Sequence, residues 1–219
     1  MNPSTYQYLR LLLEAITKDD GPKKLVVVYG GRFQPFHKGH YQCYKWLVKK
    51  FGKSNVWIAT SNNTNFNSKN GEISPFNFKE KKNIITSLYD IDPRRVVESK
   101  NPAFKPTEIF QMYDNYRPIY LAAVGRKDQE RYVGNFFHPL PLDLDLPDQS
   151  TELLALDEHA GYYVEVPMRA DGISGTLVRE DLLAAADDDK QRKKLFEHYF
   201  GKYDADVDSL ILARLKDIK

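Results

Sequence analysis

Two histidines, His37 and His40, stand three residues apart behind a pair of glycines, in the run Gly30-Gly31-Arg32-Phe33-Gln34-Pro35-Phe36-His37-Lys38-Gly39-His40. Side chains at this spacing share the first turn of a helix. Three chemistries suit them. The first is metal ligation, but a zinc site takes three or four protein ligands, and His138, His159 and His198 are scattered without ligand spacing. The single Cys43 rules out a cysteine cluster and an internal disulfide. The second is structural, with one imidazole capping a helix and the other exposed. The third is anion binding, in which imidazole N–H groups and a helix N-terminus together meet a polyphosphate. Gly30 and Gly31 let the backbone turn tightly and approach a ligand, Gly39 keeps the helix start unobstructed, and Arg32 and Lys38 add cationic donors. That convergence selects the third.

The elements that must position these groups are legible on either side. The apolar run Leu25-Val26-Val27-Val28-Tyr29 predicts a buried strand, and Tyr41, Tyr44, Leu47, Val48 and Phe51 predict a helix over 39–51 that stops at Gly52. Further strands are expected at 56–60, 95–98, 118–124 and 162–166, and further helices at 77–89, 105–112, 176–186, 190–199 and 207–215. Residues 61–74 are polar and rich in Asn, so they read as a loop. Residues 126–150 lose all pattern around Pro139, Pro141 and Pro147 and read as a long surface excursion. Cys43 falls in the apolar pattern of a helix and reads as a small core residue. Tyr8, Leu9, Leu12, Leu13 and Ile16 predict an amphipathic helix over 5–17, capped by Ser4.

Alternating strands and helices imply an α/β fold, a Rossmann-like, doubly wound, mainly parallel sheet with helices on both faces. An N-terminal helix and C-terminal helices are added to it. The expected division is 1–22 for the N-terminal helix and linker, 23–186 for the main domain and 187–219 for a C-terminal helical extension. Ligands of such sheets sit at the carboxyl ends of strands where strand order reverses, which is where the glycine-histidine loop falls.

A second motif lies about 135 residues downstream, in Ile173-Ser174-Gly175-Thr176-Leu177-Val178-Arg179. By itself Ser174 or Thr176 reads as an ordinary N-cap. The two motifs in order, His-x-Gly-His and then Ile-Ser-x-Thr-x-x-Arg, resemble the two signatures of the nucleotidylyltransferase superfamily. They are most similar to its nicotinamide-mononucleotide adenylyltransferase branch. The resemblance implies transfer of a nucleoside monophosphate, with ATP and nicotinamide mononucleotide giving NAD and pyrophosphate. It implies that His37 and His40 hold the α- and β-phosphates, with His40 the principal transition-state stabiliser and Arg179 holding the departing pyrophosphate. Gly30, Gly31, Arg32, Phe33, Lys38, Gly39, Ile173, Ser174 and Thr176 would surround the nucleotide, and Mg²⁺ would enter with the triphosphate.

Two shorter stretches also resemble this branch. Ser74-Pro75-Phe76-Asn77-Phe78 is similar to an Asn-Pro-Phe segment that opens a helix, with Ser74 in place of Asn and Lys81 or Lys82 where Arg is common. Val124-Gly125-Arg126-Lys127-Asp128 is similar to a Val-Gly-Ser-Asp turn, with Arg126-Lys127 replacing the small residue, and brings Gly125 and Asp128 to the nucleotide. Trp57, Phe66 or Phe76 could stack on a nicotinamide ring, and core packing explains each of them as well, so none is singled out. Two other readings stay open. One is a cytidylyltransferase that activates a phosphorylated alcohol or sugar with CTP, whose Arg-Thr-x-Gly-Ile-Ser-Thr-Ser ending Arg169–Thr176 matches in part. The other is a nucleotide-binding or structural protein without turnover.

Bulk properties bound the remainder. The 219 residues are 42% hydrophobic and carry 32 Lys+Arg against 30 Asp+Glu, so the formal net charge of +2 gives no reason to expect nucleic acid as a partner. No apolar run approaches the roughly 20 residues needed to cross a bilayer, and no membrane partner is expected. Without the shape of a secretory signal, the expected compartment is the cytoplasm. The sequence leaves a homo-oligomer open.

Overall fold

The structure, a computed structural model, describes residues 21–66, 73–132, 137–141, 143–167 and 172–218. The helix expected over 5–17 lies outside these residues. Six strands form one sheet: β1 (Lys23–Gly30), β2 (Val56–Thr60), β3 (Val96–Glu98), β4 (Arg117–Val124), β5 (His138–Pro139) and β6 (Tyr162–Glu165). They lie in the order β3-β2-β1-β4-β6-β5, and every pair is parallel. Among the described residues, six helices accompany them: α1 (Lys38–Phe51), α2 (Phe78–Leu88), the single turn α3 (Thr107–Phe110), α4 (Gly175–Ala184), α5 (Asp189–Phe200) and α6 (Ala205–Lys216). The fold is the Rossmann-like α/β architecture expected. Strand order reverses between β1 and β4, so the crevice above their carboxyl ends, at Gly30 and Val124, is the natural ligand site.

The strand β1 explains the layering. Its residues alternate between two faces, so Leu25, Val27 and Tyr29 enter one core cluster while Val26 and Val28 enter the other. Burial on both faces is why the sequence reads as an unbroken apolar run. The larger cluster gathers residues of α1, α2, α4, α5 and α6; Phe196, Phe200, Val207, Ile211 and Leu215 of the last two helices are part of it. The smaller cluster packs Trp57, Ile109, Phe110, Tyr113 and Tyr120, and the Trp57 indole N–H donates to the Tyr113 hydroxyl at 2.9 Å.

Two expectations need correction. The helix expected over 105–112 is shorter, with one α-turn at Thr107–Phe110 running into a 3-10 turn at Gln111–Tyr113. Residues 126–150 are not a surface excursion throughout. The segment opens with a 3-10 helix at Arg126–Arg131, and β5 then pairs with β6, where His138 N–H donates to Gly161 O and Leu140 N–H to Tyr163 O. Pro139 falls between these two donors, on an edge strand, where its missing N–H costs nothing. Leu140, Leu146 and Leu153 then turn inward and are buried in the larger cluster. Their spacing follows neither the strand nor the helix period, so periodicity could not reveal them.

Candidate active site

A cleft of about 950 Å³ opens at the strand-order reversal. Its walls are the loop after β1 (Gly30–Gln34), the turn after β4 (Gly125, Asp128), the start of α4 (Ser174–Thr176), the segment Lys100–Phe104 after β3, and Ser61, Asn63–Asn65, Ile73 and Ser74 after β2. The cleft therefore brings together most of the predicted residues: Gly30, Gly31, Arg32, Phe33, His40, Gly125, Asp128, Ser174, Thr176 and Arg179. His37, Lys38, Gly39 and Ile173 do not line it.

The histidine pair divides its labour. His37 is the N-cap of α1 and is buried; its Nδ1 accepts the Gly39 N–H at 3.2 Å. His40, at the third helical position, reciprocates: its Nδ1 accepts the His37 N–H at 3.2 Å, which completes a capping box. The ring centroids lie 3.8 Å apart. Capping and a place on the cleft wall are thus combined in one device. A neutral imidazole has one acceptor and one donor nitrogen. With Nδ1 of His40 taken up as an acceptor, the proton is assigned to Nε2, and His40 is the member of the pair that faces the cleft. A Cβ at Gly39 would stand 3.1 Å from His37 Cε1, so any larger residue there would press on the capping ring.

Aromatic rings enclose His40. Phe33 and Phe36 lie 5.1 and 5.3 Å away by ring centroid. Burial, and then the neighbouring His37, hold its pKa well below the ordinary value of 6.5. His40 is therefore a neutral N–H donor at physiological pH. The folded pKa lies below the unfolded one, so stability tied to this group is complete above about pH 6.5 and is lost as the pH falls toward the folded value. An NMR titration of the imidazole protons is expected to give His40 a midpoint below 6.5; a midpoint at or above that value would contradict the assignment.

The loop that brings Arg32 to the cleft is fixed by its own geometry. Phe33 has φ of 47°, a left-handed conformation that costs a non-glycine residue on the order of 1–3 kcal/mol. Edge-to-face contacts to Tyr29 and Phe36 pin its ring. A Cβ on Gly31 would meet that ring at 2.8 Å.

Arg179 is buried at the cleft margin. It donates to the Gln34 carbonyl at 2.6 Å and to the Thr176 hydroxyl at 3.3 Å. Burial, and then the nearby Arg32, lower its pKa, as expected of two guanidinium groups facing one space. Ser174 caps α4 by accepting the Leu177 N–H at 3.2 Å. Among the described residues, the cleft is lined by Arg32, Lys100, Arg131 and Arg179 against one carboxylate, Asp128, which is itself paired with Arg131 at 3.2 Å. Such a charge balance attracts a polyanion. Among the described residues no group of three or more His, Cys, Asp or Glu could hold a metal ion.

Several site residues were missed by sequence reasoning. Lys100, Arg131 and Tyr132 carry no motif that marks them. Gln34 lies inside the first motif, but nothing in its residue type or position there marks it as part of the site. The proposed ring-stacking candidates are corrected: Phe76 and Trp57 are buried in the core, and neither they nor Phe66 line the cleft. Among the described residues, the aromatic groups that do line it, besides His40, are Tyr29, Phe33, Phe104 and Tyr132.

The fold, with a cleft at its strand-order reversal, is that of a nucleotidyltransferase of the Rossmann-like class. Residues 28–181 match the profile of the cytidylyltransferase-like family, and the chain belongs to that family. No curated protein matched the chain. Among solved structures, nicotinic acid mononucleotide adenylyltransferase of Plasmodium falciparum complexed with NaAD superposes with a TM-score of 0.50 at 12% identity, over 90% of this chain and 98% of that one. The same enzyme complexed with APC gives 0.50 at 13% identity, with the same coverage. The bifunctional NMN adenylyltransferase/ADP ribose pyrophosphatase of Francisella tularensis, complexed with AMP and a manganese ion, gives 0.45 at 18% identity over 90% of this chain; the match spans 52% of that protein. At these identities the likeness is one of fold. Among the described residues, no helix is long and apolar enough to cross a membrane.

Proposed function

We propose that this protein transfers a nucleotidyl group from a nucleoside triphosphate, ATP, to the phosphate of nicotinamide mononucleotide, giving NAD and pyrophosphate. One observation carries the reading. A neutral His40 N–H donor and the buried Arg179 face the same cation-lined cleft at the strand-order reversal, and both of Arg179's protein acceptors are neutral oxygens. The triphosphate binds as its Mg²⁺ complex, with the metal carried on the substrate's own oxygens.

The acceptor phosphate is already an anion, so no activated nucleophile is needed. One of its oxygens attacks the α-phosphorus, the bond to the bridging oxygen breaks in line, and the electron pair leaves with pyrophosphate. No proton has to move. The protein's work is placement and charge stabilisation. His40 Nε2–H donates to the α- and β-phosphate region, where charge grows as the bond lengthens. The N-terminus of α1 adds its dipole. Arg179, with the Thr176 hydroxyl and the α4 N-terminus, takes the outer phosphates, and Arg32 adds charge across the cleft. Gly125 and Asp128 border the nucleoside. His37 acts through its cap, which sets the ring position of His40. Lys38, Gly39 and Ile173 act through the helix starts and not through contact.

The family's name favours a second reading, with CTP and a phosphorylated alcohol or sugar. A single experiment separates the two. Purified protein is incubated with MgATP or MgCTP and a panel of acceptors, including nicotinamide mononucleotide, nicotinic acid mononucleotide and phosphorylated alcohols, and pyrophosphate is measured. Release with ATP and a nicotinamide-type mononucleotide is the expected result. Release only with CTP overturns the adenylyl reading, and binding without release overturns catalysis.

A further inference from the structure

The loop that presents Arg32 has no regular secondary structure, yet it is held at several points, mostly from one direction. The Gln34 side chain, 7% exposed, reads the main chain of Phe76 at both ends: Nε2 donates to Phe76 O at 2.9 Å, and Oε1 accepts from Phe76 N–H at 2.9 Å. This two-point contact is the side-chain equivalent of a strand pair, made to the residues that lead into α2. One turn later Lys81, with no solvent exposure, donates to the Arg32 carbonyl at 3.3 Å, to the Thr60 hydroxyl at 3.0 Å and to the Ser61 carbonyl. The Thr60 hydroxyl in turn donates to the Arg32 carbonyl at 3.3 Å. From the opposite side Arg179 takes the Gln34 carbonyl.

A buried lysine is an expensive way to satisfy three neutral oxygens. Burial, opposed by Glu98, lowers its pKa to about 8. An apolar residue would fill the same volume, so packing does not account for the amine. What it holds does: the Arg32 and Ser61 carbonyls both belong to residues that line the cleft. Its fold role and its site role coincide at that loop.

We propose that Gln34 and Lys81 are positioning residues that lock the Arg32–Gln34 loop onto the start of α2, so that Arg32 and Arg179 meet a triphosphate already in place. The kinetic consequence rests on the nucleotidyl-transfer reading above; the clamp itself does not. A site preorganised in this way loses rate when its support shifts by as little as 1 Å.

The test uses Gln34→Glu, which keeps the volume but turns the donor toward Phe76 O into an acceptor, and Lys81→Met, which keeps the apolar stem and removes three donors. Amide hydrogen exchange on the ligand-free full chain is expected to quicken by about tenfold over 31–36 and 73–77, because the free energy of local opening falls. Exchange in β4 and α6 is expected to stay at the wild-type rate. Well below each variant's Tm, kcat/KM for ATP is expected to fall about 10–100-fold. Should Lys81→Met fail to fold, Thr60→Val removes one Lys81 acceptor and one donor to Arg32 at nearly constant volume, and the same pattern is expected. Unchanged exchange overturns the clamp. Faster exchange with wild-type kinetic constants overturns the positioning role. Faster exchange in a protein whose wild type turns over no substrate pair leaves the clamp standing and removes the nucleotidyl-transfer reading instead.

Discussion

His40→Ala is expected to lower kcat by about 10²–10³ while leaving the fold intact by circular dichroism. The ring is the neutral donor that faces the cleft, and its loss removes a hydrogen bond that strengthens as charge builds on the bridging oxygen. Its fold role is smaller. It accepts one backbone N–H, that of His37, so losing that cap costs on the order of 0.5–2 kcal/mol. His40→Asn offers a shorter acceptor for the same N–H and should recover stability without recovering rate. His37→Ala makes the complementary case: it removes the N-cap of a helix whose first turn carries His40, so Tm should fall with a smaller loss of kcat. Wild-type turnover in His40→Ala would refute the role given to that ring.

The second large effect is expected at Gly30. A Cβ there would stand 2.1 Å from the Pro102 carbonyl oxygen and 3.0 Å from Ala103 Cα. The opposing loop cannot recede easily, because the Ala103 carbonyl accepts two phenol O–H groups, from Tyr120 at 2.9 Å and Tyr132 at 2.5 Å. Both tyrosines are buried, and Tyr132 stacks on Phe104 with ring centroids 4.7 Å apart. Gly30→Ala must therefore push apart the two walls of the cleft. A loss of about 1–3 kcal/mol is expected from overpacking of this kind, seen as a drop in Tm of about 2–4 °C per kcal/mol for a chain of this size. Turnover should fall further than stability, since the displaced loop carries Lys100 and Asn101 into the cleft. A variant with wild-type Tm and wild-type kcat would show that the two loops are not held together as described.

Both predictions fall on residues whose importance is visible in the sequence. Residue types at helix starts report chemistry well: glycines where backbones must approach, and histidine, serine and threonine where N–H groups need acceptors. Strands buried on both faces, such as Leu25–Tyr29, announce themselves as apolar runs. What the sequence withheld was orientation. His37 and His40 carry the same functional group three residues apart, and only the folded turn decides that both cap while His40 alone meets the cleft. Tertiary pairing was equally hidden. Nothing local to Lys81 says that it is buried, because its three partners come from residues 20 and more positions away. The aromatic candidates failed for a related reason: Trp57 and Phe76 are as suitable for packing as for stacking, and the core took them. The leucines of 140–153 reach the core from an irregular segment that has no period to read.

In the proposed reaction the α-phosphorus travels with its nucleoside. The most direct measurement follows label from ATP into product with nicotinamide mononucleotide as acceptor, in parallel reactions with α-³²P and γ-³²P triphosphate. The α label is expected in the dinucleotide and the γ label in pyrophosphate, with both transfers suppressed in His40→Ala. Label from the γ position in the acceptor, or α label that stays with free nucleotide while the acceptor is unchanged, would contradict it.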